Sequence, residues 1–413
     1  MGPLFLREDL SAVAATRDEP VLGIVLAGGG ARGAYEVGVL KALFGLYAEA
    51  GRRPPPLVLS GTSSGAINAL FLADRANDPV GALADLETLW RSLHVGRVYS
   101  GGLGSLWRGR FHGLRNLWSS HFRTRRRPHA LLDNSPLRAL ITEEIGFHFS
   151  THIASGRLRG VAITASSYTT GKSVVFFEAS PEVAEWRRAR REGRRARLEL
   201  AHILASSALP LLFPAVRIGN EFFGDGSMRQ LAPLSSAVHL GASRLVVVGV
   251  HGREEMLPMP SGEPAYPSLA AIGGFVLDSL FMDGIVSDLE RLERINTFLA
   301  VLGPNPPGLP QHLRPVEAFT AFPETDLRSL VARHENGFPP LTRFFLNRLG
   351  AGGGSGLELK SYLLFHGDYC GELIDRGYAE TRARARELRA LLGLGAAQPP
   401  EAVTLVEERT RSR

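Results

Sequence analysis

The chain of 413 residues holds one cysteine, Cys370, three lysines (Lys41, Lys172, Lys360) and no unbroken run of 18 apolar residues. One cysteine excludes a disulfide framework and any multi-cysteine metal centre. The missing apolar run speaks against a membrane-spanning helix. Residues 1–20 place Arg7, Glu8, Asp9 and Asp18 around a short apolar patch, which is not the basic-then-apolar order of a signal peptide. Leu6 stands where a myristoylation pattern needs Ser or Thr. A cytoplasmic protein is therefore expected. With lysine so scarce, arginine carries nearly all of the 47 basic charges, against 41 acidic ones, for a net +6. Such a bias follows from GC-rich codons and is in itself no mark of phosphate binding. The surplus is also local: residues 121–129 carry four Arg and no acid, and residues 182–199 carry seven Arg against four Glu. Nucleic acid is accordingly not an expected partner.

With 44% hydrophobic and 21% charged residues, the composition is that of a globular chain with a sizeable core. Residues 21–27 form a short apolar run closed by three glycines, as a buried parallel strand does. Residues 34–50 repeat apolar side chains at Tyr35, Val37, Leu40, Leu43, Phe44 and Tyr47, the spacing of a helix, which Gly51 and Pro54-Pro55-Pro56 end. A strand at 57–60 and a helix from 66 to 73 complete a β-loop-α-β-loop-α opening, which implies a parallel sheet covered by helices. Further strands are expected at 160–166, 173–177 and 244–250, with a hairpin at 216–223 turning on Gly219-Asn220. Beyond residue 252, Pro-rich loops frame a helical stretch at 269–294, and helical patterns run to 393. This gives a leader at 1–19, an α/β domain at 20–252, a mainly helical extension at 253–397 and a charged tail at 398–413.

Gly61-Thr62-Ser63-Ser64-Gly65 fits G-x-S-x-G between a predicted strand and a predicted helix, the sole match in the chain. In that setting Gly61 and Gly65 let the backbone turn sharply and hold the serine hydroxyl over the sheet as a nucleophile. Gly28, Gly30 and Gly33 fit G-x-G-x-x-G after the first strand, and two uses compete. A dinucleotide fold needs an acid at the end of the second strand. Here that strand ends Leu59-Ser60-Gly61, and the nearest acid, Glu49, lies in the preceding helix. The other use is a row of backbone N–H groups at a helix start, aimed at a developing oxyanion, which suits a nucleophile on the neighbouring strand. A serine also needs a base. Asp225-Gly226 closes a strand where a carboxylate can reach a sheet-edge site, with Gly226 freeing the turn, whereas Asp283-Gly284 lies in a helical pattern as a solvated acid. Of the twelve histidines, His202, His239 and His251 fall nearest the predicted sheet, each with packing or surface exposure as its simpler reading.

Taken in order, Gly28-Gly29-Gly30-Ala31-Arg32-Gly33-Ala34-Tyr35, the elbow around Ser63, Ala205-Ser206-Ser207-Ala208-Leu209-Pro210 with Phe213-Pro214, and Asp225-Gly226 resemble the motifs of the patatin-like phospholipase family. The resemblance covers roughly residues 20–250. It implies a three-layer α/β/α fold with a mostly parallel central sheet. It further implies Ser63 as acyl-accepting nucleophile and Asp225 as the base of a Ser-Asp dyad without a catalytic histidine. Gly28, Gly29, Gly30 and Arg32 would line the oxyanion hole through their amides, Gly33, Gly61, Gly65 and Gly226 would support the turns, and no metal or cofactor is required. Ser227 stands where the family has Gly or Ala. The implied substrates are lipid esters, phospholipids or lysophospholipids. An aspartate with an ordinary pKa near 3.9 is a weak base, so this role demands a dry environment, for which Phe222 and Phe223 are the candidates.

Trp107, Phe111, Leu114 and Trp118, interleaved with Arg108, Arg110 and Arg115, suit either a helix lying on an anionic membrane or a stripe packed on the core. Residues 182–199 read as a solvated, salt-bridged helix. Two other functions stay open on the residues alone: a general esterase or thioesterase with a Ser-His-Asp triad, and a non-catalytic lipid-binding protein.

Overall fold

The first apolar run folds as strand β1 (Leu22–Leu26) and the second as β2 (Leu57–Thr62), joined by helix α1 (Ala34–Glu49). The computed structural model describes residues 20–100, 130–252, 266–302, 313–324, 326–352 and 356–395. The remaining strands are β3 (Leu158–Ser167), β4 (Ser173–Ala179), β5 (Trp186–Arg187), β6 (Arg191–Arg195), β7 (Val216–Ile218), β8 (Glu221–Asp225), β9 (Arg244–Val248) and β10 (Glu317–Ala321). They form one mixed sheet in the order β10-β9-β1-β2-β3-β4-β6-β5, with β8 attached to β3 and β7 to β8. The pairings from β10 through β3 are all parallel.

Alternation along the strands builds two cores, one on each face of the sheet. Leu22, Ile24 and Leu26 of β1 join the larger core with α1, α2 (Ser64–Asp74) and α3 (Pro79–Arg91). Val25 and Ala27 point the other way, toward Leu234 and Ala237 of helix α6 (Leu234–His239) and Ile285 of α7 (Leu269–Leu302). The helices α4 (Ser135–Glu144), α5 (Leu200–Ser206), α8 (Leu357–Leu363) and α9 (Gly367–Ala383) complete the parts that bear on the site. The three-layer α/β/α arrangement is the one the β-loop-α opening predicts.

One expectation is corrected. Residues 182–199 do not form a helix: they fold back as β5 and β6, because Gly193 leaves room for the Trp186 ring and β6 pairs with β4. Their charges are nonetheless paired, Glu192 with Lys172 and Arg194, and Arg194 with Glu221. Beyond residue 252 the described residues are mainly helical as expected, with one strand, β10, that extends the central sheet beside β9. Its five residues, with Phe319 and Ala321 buried, give too short an alternation to stand out between proline-rich stretches. Finally, α7 has 34 residues and an 18-residue window of mean hydropathy 1.7, long and apolar enough to cross a membrane by length and composition. Gly273, Gly274 and Asp278 interrupt it, so a search for unbroken apolar runs passes over it. Only 31% of that window is buried. Leu277, Phe281 and Ile285 face inward, while Leu269, Phe275, Phe298 and Val301 are exposed.

Candidate active site

Ser63 lies between the last residue of β2 and the first of α2 with φ 54° and ψ −124°, a strained conformation for a residue with a Cβ. The turn is feasible because a Cβ on Gly61 would overlap the Gly65 backbone, and one on Gly65 would overlap the carbonyls of Leu26 and Ala27. A serine before a helix ordinarily caps it. Here the Ser63 side chain makes no capping bond, which leaves its hydroxyl available. The Ser63 N–H donates to Ser206 Oγ (2.9 Å), and Ser206 Oγ–H donates in turn to the Thr164 carbonyl (2.7 Å). Ser206, on the last turn of α5, thus ties the elbow to β3.

Strand register delivers Asp225 to the same place. β2 pairs with β3 up to Thr62↔Thr164, and β8, running antiparallel, takes over the same edge of β3 at Ala165↔Asp225. The ends of β2 and β8 therefore meet one residue apart along β3. Gln230 braces this junction, accepting from Thr62 Oγ1 (2.7 Å) and donating to Thr164 Oγ1 (3.1 Å). Asp225 is fully buried; its Oδ1 accepts from the Ser227 N–H (2.9 Å), and Oδ2 has no hydrogen-bond partner among the described residues. Burial pushes its pKa up to about 6, with the Ser227 amide and the Ser63 and Ser227 side chains near enough to limit the rise. Phe223 is fully buried and lies on the same face of β8 as Asp225, whereas Phe222 is half exposed, because neighbours on a strand point to opposite faces. Ser227 fits the turn after Gly226, whose own Cβ would strike the Thr164 carbonyl.

The glycine loop runs from β1 into a 3-10 turn over Gly30–Gly33 that leads into α1. The N–H groups of Gly28 and Gly29 have no backbone acceptor among the described residues. Gly30 has φ +54° and lies against the Tyr362 carbonyl, so it has neither the conformation nor the space for a side chain. Gly33 packs on Ser64. Arg32 departs from expectation: its N–H donates to the Gly29 carbonyl (3.1 Å) and is spent in the turn. Its guanidinium is buried against Glu358, Ser361 and Tyr362.

Two further features escaped the sequence reading: the buried Glu36, and the acids Asp278 and Glu358 gathered around His251. Glu36, fully buried on α1, accepts from Asn68 Nδ2 (2.8 Å), which also donates to the Gly33 carbonyl, while Trp90 Nε1 donates to Asn68 Oδ1. Burial holds the Glu36 carboxyl well above the usual carboxylate range. Its signal was an acid in the first turn of α1, flanked by apolar residues. His251 Nε2 lies 2.9 Å from Asp278 Oδ1 and also meets the Tyr362 hydroxyl; burial pushes its pKa down to about 4. His251, Asp278 and Glu358 bring one potential ligand atom each within 4.8 Å of one another. A metal ion does not fit them, because the Arg32 guanidinium already pairs with both carboxylates. His202 closes a capping box at the start of α5 and packs on Phe176, and His239 stacks on Trp186. Asp283 lies on α7, its side chain outside the described residues, as is the segment with Trp107, Trp118 and Arg123.

An apolar pocket opens on Ser63. Beside Ser63, Gly30 and Ser207, its walls are Phe71 of α2, Trp90 of α3, Leu140 and Ile141 of α4, Phe213 and Phe365. Residues 24–238, more than half of the chain, match the family model described as patatin-like phospholipase. No curated protein sequence matches the chain. Among solved structures, the crystal structure of VipD from Legionella pneumophila aligns at 10% identity and a TM-score of 0.26, covering 86% of this chain and 66% of that one. The family match takes in the glycine loop, the serine elbow and Asp225, and the chain belongs to the patatin-like phospholipase family.

Proposed function

We propose that the protein is a serine acyl-hydrolase of lipid esters, of phospholipase A or lysophospholipase type, acting through a Ser63–Asp225 dyad. The observation that carries this reading is the pocket. An apolar pocket lined in part by a strained serine is suited to an acyl chain whose carbonyl rests at Ser63 Oγ. Ser63 Oγ attacks the ester carbonyl while Asp225 takes its proton. The oxyanion is held by the amides of Gly28, Gly29 and Gly30, with the N-terminus of α2 adding its dipole. Asp225 returns the proton to the departing alcohol, leaving an acyl-Ser63. A water then gives a proton to Asp225 and attacks the acyl carbon. The fatty acid leaves as Ser63 regains its proton. A Ser-His-Asp triad has less support, since His202 and His251 are engaged with Glu199 and with Asp278 and Tyr362.

A panel of phospholipids, lysophospholipids and simple esters, with products read by mass spectrometry, tests the reading. Fatty acid release by the natural chain and none by Ser63→Ala is expected. Equal release by both, or none by either, would overturn it.

A further inference from the structure

Arg32 is 2% exposed, and the hydrogen-bond and ion-pair partners of its guanidinium among the described residues all come from the C-terminal third of the chain. Nε donates to Ser361 Oγ (2.8 Å), Nη2 to Glu358, and Nη1 faces the Tyr362 hydroxyl (3.5 Å) and Asp278 Oδ1 (4.0 Å). The guanidinium also lies over the Tyr362 ring at 4.3 Å. The same elements touch the rest of the loop. The Tyr362 carbonyl abuts Gly30, and Phe281, one turn after Asp278 on α7, covers Gly28 and stacks on Tyr362 at 5.3 Å. Burying a guanidinium with a carboxylate costs desolvation that an apolar pair would avoid, so the gain over simple packing is orientation: a planar fork fixes both position and angle.

We propose that Glu358, backed by Asp278, is a positioning residue for the oxyanion hole: it fixes Arg32 and, through Arg32, the amides of Gly28, Gly29 and Gly30. The proposal rests on the reading of Ser63 given above. It assigns α7 and α8 a part in the reaction through Arg32 and the glycine loop.

The test uses the full chain as Glu358→Gln, as Arg32→Lys, and as the double variant Arg32→Met/Glu358→Leu, in which both members of the Arg32–Glu358 pair are removed together. Active sites are titrated with a fluorophosphonate at Ser63, and kcat and KM are measured on a soluble ester. Displacements on the order of 1 Å cost roughly 100-fold in rate. The expected result is a fall in kcat per titrated site of roughly 10- to 100-fold in all three variants, with KM little changed and the double variant melting close to the natural chain. Unchanged kcat per titrated site in a folded double variant would overturn the proposal. A natural chain that neither takes up the fluorophosphonate nor hydrolyses the ester would instead overturn the Ser63 reading, and the proposal with it.

Discussion

Asp225 bears the main thermodynamic strain of the site. Its carboxyl would titrate near 3.8 in water and is pushed up to about 6 by burial. As a base it must be ionised, so kcat/KM should rise with pH through about 6 and level off above it. A rise centred near 4 would show that Asp225 is not the group being titrated. The same shift has a cost in stability. Because the folded state holds the proton more tightly than the unfolded chain, stability falls as pH rises from about 4 through about 6, and the full penalty persists above that range. Two pKa units correspond to about 3 kcal/mol. Asp225→Asn should therefore unfold at higher denaturant at pH 7.5, by up to about 3 kcal/mol, and show no such gain at or below pH 4. A destabilised variant at pH 7.5 would contradict this. At this scale the motif residues Ser63 and Asp225 were legible because their chemistry demands fixed neighbours. The burial of Arg32 was not, since its hydrogen-bond partners Glu358, Ser361 and Tyr362 lie more than 320 residues away in sequence.

Among the elements, α1 and α9 approach so closely that glycine is needed on both. A Cβ on Gly38 would overlap the Ile374 carbonyl, and one on Gly377 the Tyr35 carbonyl. Gly377→Ala should lower stability by about 1–3 kcal/mol in denaturant unfolding, as overpacking does. A neutral or stabilising effect would mean that the two helices separate without cost. The opening strands and α1 could be read directly because their apolar spacing is long and regular. β5 and β6 could not, because the mixed Arg and Glu of residues 182–199 imitate a salt-bridged helix, and the decisive contact, Trp186 over Gly193, depends on the fold already made.

At the scale of the whole molecule, the pocket is assembled from α2, α3, α4, the segment after α5 and the segment after α8. No local pattern announces such a cleft, which is why the elbow was evident from the sequence and the space it serves was not. Filling that space should shorten the preferred acyl chain. Ile141→Trp is expected to retain turnover of short esters while losing long-chain ones, compared by kcat/KM across a chain-length series; an unchanged series would place the acyl chain elsewhere. The dyad itself is tested most directly by the turnover of Asp225→Asn on a lipid ester at pH 7.5, relative to folded protein. A Ser63–Asp225 pair requires a fall of roughly 100- to 10,000-fold, whereas turnover within a few-fold of the natural chain would contradict it.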